Sequence, residues 1–266
     1  MSGVMSIKEM FYLCSKVKNL DVSKWNTDAM QDMAGTFCGC SGITSLDVGH
    51  FNVSGVGDIS SMFSNCSNLT SLNVSQWDVS HVTKMRYLFN NCTSLTELDL
   101  SQWNTWKVTD MTYMFNGCSG LSHLDLSKLN LGNVTQSSYM LTDCSGLTEL
   151  DVSSSMENLN TTACKGVGTE ADPCKLTVPS GFEFPEDTDP TANVFTWCNG
   201  YFTLGVTYEM GDVNTDGQIN VTDVMLTVNH TLGNEVASFN KKYADMNNDG
   251  NINIADIMLI VKKAMN

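Results

Sequence analysis

Two stretches near the C-terminus place oxygen-bearing residues at one repeated spacing. The first contains Asp212, Asn214, Asp216, Gly217, Gln218, Asn220 and Asp223, and the second Asp245, Asn247, Asp249, Gly250, Asn251, Asn253 and Asp256. Read as twelve-residue loops, both carry side-chain oxygens at positions 1, 3, 5, 9 and 12. Glycine at position 6 makes the sharp turn, and position 7 (Gln218 or Asn251) offers its backbone carbonyl, a spacing that wraps a hard cation of calcium size. One such stretch could be an ordinary turn, because Asp, Asn and Gly are turn formers. Two complete copies predict a pair of calcium sites and hence two ions.

The elements that must hold these loops are short. An apolar helix is predicted after each loop, at Val224-Met-Leu-Thr-Val228 ending near Gly233 and at Ile257-Met-Leu-Ile-Val261 ending near the C-terminus. Asp closes both loops where an ordinary EF-hand has Glu, and Tyr208-Glu-Met-Gly211 leaves no room for a helix before the first. Residues 210–266 resemble the type I dockerin, a small all-α domain similar to paired F-hands. The resemblance implies calcium-dependent folding and docking to a cohesin-type module, joining a secreted protein to a polysaccharide-degrading complex or a cell surface. It also implies that loop positions 10 and 11 and helix positions 17 and 18 choose the partner. These fall on Val221, Thr222, Val228 and Asn229 in the first copy, and on Ile254, Ala255, Val261 and Lys262 in the second. The copies differ there, so one preferred docking face is expected. The competing reading is that calcium only staples a domain too small to bury a sufficient core.

Upstream, a 26-residue period dominates. Cys14, Cys40, Cys66, Cys92, Cys118 and Cys144 share one phase, and Phe11, Phe37, Phe63, Phe89 and Phe115 share another with Leu141 in sixth place. Leu20, Leu46, Leu72, Leu98, Leu124 and Leu150 share a third. In one repeat, the alternation of Leu98 and Leu100 predicts a short strand. Val108, Met111, Met114, Phe115 and Cys118 follow at helical spacing, as one inward stripe. Such a unit cannot enclose a core alone, but stacked copies can. The predicted class is an α/β solenoid of about six turns, a right-handed stack of short parallel strands and helices. The pattern LxxLDLSxW followed by VTxMxxMFxxC resembles the BspA-like leucine-rich-repeat surface proteins, whose usual roles are adhesion and ligand binding. The expected organisation is a leucine-rich-repeat solenoid over 1–152, a partly β cap and linker over 153–209, and the dockerin-like domain over 210–266.

Several rows of the repeat admit two readings. The in-phase cysteines suit a buried thiol ladder as well as a metal or redox array. Cys38, Cys164, Cys174 and Cys198 belong to no ladder, and in an oxidising compartment Cys164 and Cys174 could close a short loop, although the sequence does not set the pairing. The row Asp21, Asp47, Asn73, Asp99, Asp125 and Asp151 could bind cations or could accept local backbone hydrogen bonds. Trp25, Phe51, Trp77 and Trp103 could stack on sugars or pack between turns.

No catalytic constellation is found. His50, His81 and His123 lie at unrelated phases, and neither a zinc-hydrolase, a nucleophile-elbow nor a phosphate-loop motif occurs. Glu97 and Glu149 share a phase two repeats apart, at a separation that only approaches the outer range for an inverting glycosidase pair, and they read as surface carboxylates. A non-enzymatic protein is expected. The net charge of −15 excludes nucleic acid and an anionic bilayer as natural partners, and no apolar run is long enough for membrane insertion. Both resemblances point to an extracellular or cell-surface location. Met1 to Lys8 has no apolar signal core, and the chain starts inside the helical half of a repeat, so a signal peptide and an N-terminal cap are expected upstream. Two function classes follow: an adhesion or scaffold-associated binding protein, or a glycan-recognising component of a polysaccharide-degrading system.

Overall fold

The 26-residue period of the sequence is also the period of the backbone hydrogen bonds. The computed structural model describes residues 4–156, 159–179, 182–190, 192–205, 211–214, 218–234, 236, 239, 241–247 and 250–265. The chain forms two compact units, Met1–Leu176 with Glu183–Leu204, and Thr177–Phe182 with Gly205–Asn266. In the first unit, alternate N–H groups reach the next repeat: Glu9 donates to the Ala34 carbonyl (2.9 Å), Phe11 to Thr36 (2.8 Å) and Leu13 to Cys38 (2.7 Å). The N–H groups between them close tight turns, Met10 to Ile7, Tyr12 to Glu9 and Cys14 to Phe11, each at 3.1 Å. The same alternation links Ile59–Asn65 to Lys84–Asn90 and Met85–Asn91 to Asp110–Asn116. A row of parallel bridges from Ser6 through Asp32, Asp58, Lys84 and Asp110 to Gln136 runs beside it.

This pattern corrects the helix expected in each repeat. The stripe Val108, Met111, Met114, Phe115 and Cys118 is fully buried, as predicted from its spacing, but its backbone is a chain of turns and not an α-helix. Two residues per repeat, four apart, take left-handed backbone angles: Glu9 and Leu13, Gly35 and Gly39, Ser61 and Asn65, Tyr87 and Asn91, Tyr113 and Gly117, Tyr139 and Asp143. A left-handed residue breaks the N–H to i−4 carbonyl series and turns alternate donors outward, where the neighbouring turn accepts them. Spacing of three and four on one face therefore belongs to both backbones, and only long-range pairing separates them. At Gly39 the close approach is also steric, since a Cβ there would stand 2.6 Å from the Leu13 side chain.

On the other side of each repeat, regular strands among the described residues are confined to the end of the stack. β1 (His123–Asp125) and β2 (Glu149–Asp151) pair in parallel, Leu124 opposite Leu150. β3 (Cys174–Thr177), β4 (Phe195–Trp197) and β5 (Gly200–Leu204) complete a five-stranded sheet ordered β1-β2-β3-β5-β4. β3 runs parallel to β5, and β4 is antiparallel to it. At Leu98–Leu100 the expected strand is not regular, although Leu100 is buried. The first unit is thus mostly sheet- and turn-based.

The hydrogen-bond pattern continues beyond Val152 with a change of register. The partner offset is 25 residues from Phe115 to Met140 but 22 from Leu141 to Ala163, and Asp143 likewise bonds Lys165. This shortened turn keeps a left-handed Gly166 and buries Ala163, Cys164 and Val167. Because it lacks three residues, a strict 26-residue search passes over it.

In the second unit, α1 (Val221–Thr231), α2 (Lys241–Ala244) and α3 (Ile254–Ala264) pack around Val213, Ala244 and Ile260, joined by Ile219, Val224, Leu226, Phe239, Met246 and Ile252. The two predicted helices are α1 and α3, and α2 is a single turn leading into the second loop. Among the described residues no helix is long and apolar enough to cross a membrane.

Candidate functional site

The repeat rows resolve mainly toward structural roles. Trp77 and Trp103 are 1 % and 2 % exposed, lie parallel with ring centroids 6.4 Å apart, and donate their indole N–H to the carbonyls of Val48 and Val74, each at 3.0 Å. Sugar stacking on these two rings is ruled out, because both faces and the polar edge are already engaged. The phenylalanine row stacks behind them at 5.7 to 5.9 Å per step. In the Asp and Asn row, Asp21, Asn73, Asp99 and Asp125 accept the N–H of Ser23, Ser75, Ser101 and Ser127, which fixes the bend after each strand position. Hydrogen bonds from Ser23 hold the Asp21 carboxyl below the usual carboxylate range.

The six in-phase cysteines are thiols, and from Cys40 onward each donates across the stack. Cys40, Cys66, Cys92, Cys118 and Cys144 bond the carbonyls of Phe11, Phe37, Phe63, Phe89 and Phe115 at 3.0 to 3.2 Å. Burial, followed by the neighbouring thiol, pushes Cys40 from 9.0 up to about 11 and Cys66 up to about 12, and raises Cys92, Cys118 and Cys144 well above 9.0. A thiol harder to ionise in the folded than in the unfolded state stabilises the fold fully below pH 9 and loses that contribution as pH rises through its folded value. Stability of the first unit should be flat from neutral pH to about pH 9 and fall steeply toward pH 12. Denaturant titrations at stepped pH test this, and a constant midpoint up to pH 12 would refute it.

One open groove of about 720 Å³ crosses three turns of the first unit, lined by Asn73, Thr96, Glu97, Asp99, His123 and Asp125 among others. It offers a polar face to a ligand of the repeat unit. Nearby, His123 Nε2 lies 3.2 Å from the Asp151 carboxylate, and Lys175 pairs with Glu149 (3.4 Å) with both side chains exposed.

The loops of the second unit are built from their own backbone. Asn220 caps α1 by accepting the Thr222 N–H (2.7 Å), and Asp223 bonds back to the Asn220 N–H (2.9 Å). Asn253 and Asp256 do the same for α3, with bonds of 2.8 and 3.0 Å. Positions 9 and 12 are therefore a capping box as well as candidate ligands, a double use that the ligand spacing conceals. The same carboxylates tie each loop to its start: Asp223 accepts from Val213 (2.9 Å) and Asn214 (3.4 Å), and Asp256 from Asn247 (3.2 Å). Gly250 at position 6 donates to Asp245 at position 1 (2.9 Å). Asp212, Asp223, Asp245 and Asp256 are all buried, Asp223 and Asp256 completely. Burying four carboxylates in so small a unit is costly without compensating positive charge. Backbone amides pre-arrange the oxygens, and the oxygen-only donor set suits calcium. Asn214, Gln218, Asn247 and Asn251 are exposed or half-buried along the same loops, and Asp216 and Asp249 lie outside the described residues.

The residues expected to choose a partner fall on the outer faces of α1 and α3. Val221, Thr222, Ile254, Ala255 and Lys262 are exposed, and Val228, Asn229 and Val261 half-buried. The structure adds four residues that the sequence reading passed over: Met225 and Leu232 on and just after α1, and Met258 and Met265 on and just after α3, each 59 % exposed or more. Val221, Met225, Val228 and Leu232 follow the spacing i, i+4, i+7, i+11, as do Ile254, Met258, Val261 and Met265, so each helix carries a straight apolar stripe. That spacing is readable in the sequence, but apolar residues occupy more than one face of each helix, and packing is what separates the inner stripe from the outer one. The two stripes match in character. The copies differ instead at Thr222 against Ala255 and at Asn229 against Lys262.

Two family models match the chain. That described as "Mycoplasma protein of unknown function, DUF285" matches residues 1–73 and 68–168, and that described as "Dockerin type I domain" matches residues 210–266. No curated protein and no solved structure matches the chain.

Proposed function

Because the chain belongs to the family described as "Mycoplasma protein of unknown function, DUF285", and carries a type I dockerin domain, we propose that it is a non-catalytic extracellular or cell-surface binding protein. Type I dockerin domains bind calcium, imply a cohesin partner and belong to extracellular, cellulosome-type proteins. In the proposed assignment, two calcium ions are held by Asp212, Asn214, Asp216, Asn220 and Asp223 and by Asp245, Asn247, Asp249, Asn253 and Asp256, with the backbone carbonyls of Gln218 and Asn251. Calcium neutralises the buried carboxylates and so fixes α1 and α3, whose outer stripes dock to a cohesin-type module. The repeats form a leucine-rich-repeat-like solenoid of the BspA type, whose groove around Glu97 and His123 receives an adhesion ligand.

The paired exposed stripes are the observation that carries the docking role, since exposed apolar residues repeated in register on two helices have no use in the unit's own core. Differences at positions 11 and 18 favour one face for a given partner. The polar groove supports a second reading, glycan recognition within a polysaccharide-degrading system, through hydrogen bonding and not through the tryptophan row.

Capture from secreted and surface proteins with the full chain tests the proposal. A cohesin-type protein should be retained in calcium and released by a chelator. The double variant Met225→Asp with Met258→Asp should weaken capture by roughly 30-fold or more, as loss of a central apolar contact does, while leaving the helical circular dichroism intact. Undiminished capture by that variant would remove the stripes from the interface.

A further inference from the structure

The four cysteines nearest the end of the repeat stack are not equivalent. Cys144 ends the thiol ladder with its bond to the Phe115 carbonyl (3.1 Å), and Cys174 in β3 points its thiol at the carbonyl of Lys175 (3.8 Å). Cys164, in the shortened last turn, instead meets Cys198, which lies 34 positions later in the sequence. The Cys164 N–H donates to the Cys198 carbonyl (3.0 Å), which brings the two backbones to the separation that a disulfide spans. The Cys198 thiol donates to the Leu159 carbonyl (3.7 Å). Among the described residues no group of three or more His, Cys, Asp or Glu could hold a metal ion, which argues against a metal site for these thiols.

Cys198 occupies an unusual place for its type. It and Asn199 form the two-residue turn between β4 and β5, both with left-handed angles (φ 50° and 63°). Such turns favour Asn, Asp and Gly, which tolerate these angles. A cysteine here gains nothing for the turn itself, but its carbonyl holds the Cys164 N–H and its side chain is half-buried, whereas Cys164 is completely buried.

We propose that Cys164 and Cys198 are a disulfide-forming pair that clamps the β4–β5 hairpin to the last turn of the repeat stack, with a small-molecule disulfide as oxidant. The accessible Cys198 thiolate attacks one sulfur of the oxidant, whose S–S bond breaks and releases one thiol. The Cys164 thiolate then attacks the Cys198 sulfur, displacing the second thiol. Two protein thiols are oxidised to one disulfide, and one oxidant disulfide is reduced to two thiols. Interaction with Cys198, followed by burial, keeps the Cys164 thiol well above its ordinary range. The buried Cys164 is therefore the slower of the two thiols to react, and closure quickens as pH rises.

The test uses the full chain, reduced and then exposed to oxidised glutathione, blocked with an alkylating reagent and mapped by mass spectrometry without reduction. The expected result is an intact mass lower by two hydrogens and one cross-linked peptide joining Cys164 to Cys198, with the ladder cysteines alkylated only after denaturation. Alkylated Cys164 and Cys198 after oxidation would overturn the proposal, as would a Cys164 link to Cys174 or Cys144. The conservative variant Cys198→Ser should show no oxidant-dependent loss of mass and no oxidant-dependent rise in unfolding midpoint, whereas the parent chain shows both. An oxidant-dependent rise in Cys198→Ser would equally count against the pair.

Discussion

Replacing Asp256 with Ala should unfold the dockerin domain and abolish its calcium response. The carboxylate is fully buried and accepts the N–H groups of Asn247 and Asn253 through different oxygens. Removing it leaves two partly buried loop donors without their acceptor, at about 1–2 kcal/mol each. The bond from Asn253 is also the returning half of the capping box of α3. Together the two lost bonds reach about 3 kcal/mol, roughly half of what a domain of this size possesses at about 0.1 kcal/mol per residue. A proposed calcium ligand is lost as well, so added calcium cannot restore the fold by mass action. Far-ultraviolet circular dichroism of the full chain during a calcium titration checks this. The parent should gain helix with calcium and lose it on chelation, and the variant should stay flat. A calcium-dependent helical signal in Asp256→Ala would show that position 12 is dispensable, while a parent indifferent to chelator would undo the metal-dependent folding itself. Ala255→Ser, on the exposed face beside it, should change neither signal.

Trp103→Ala should destabilise the repeat unit by about 3–5 kcal/mol. Trp103 packs between Trp77 and Phe89 with centroids at 6.4 and 6.3 Å, and its indole N–H satisfies the Val74 carbonyl in the interior. Its removal opens a cavity in the middle of the ladder and leaves that carbonyl without its donor. Because each turn contacts chiefly its neighbours, the damage should spread outward from the adjacent turns. Amide exchange should therefore accelerate first near Val74–Phe89 and only later near Ile7–Cys14. A fall in glycan binding with unchanged stability would return this row to the surface role that its burial denies.

The sequence alone determined which residues belong together. The 26-residue phase of Cys, Phe and Leu specified a stacked core, because each position must meet its own equivalent in the next turn. The twelve-residue oxygen spacing marked the candidate calcium loops, since ligand geometry is local and can be written in consecutive residues. Tertiary structure decided the backbone that carries these residues. Burial at Val108, Met111, Phe115 and Cys118 is compatible with either a helix or a chain of turns, and the choice fell to N–H groups that find carbonyls 25 residues away, with left-handed Tyr113 and Gly117 turning them outward. It also decided which apolar residues of α1 and α3 remain outside, since Met225 and Ile260 differ in surroundings and not in kind. Pairing of the late cysteines was likewise beyond the sequence, because Cys164 and Cys174 are close in the chain whereas Cys164 and Cys198 are brought together only by the shortened turn and the hairpin. In the calcium loops, Asn220 with Asp223 and Asn253 with Asp256 were legible as ligands but not as helix caps, because one spacing serves both a metal and the first turn of a helix.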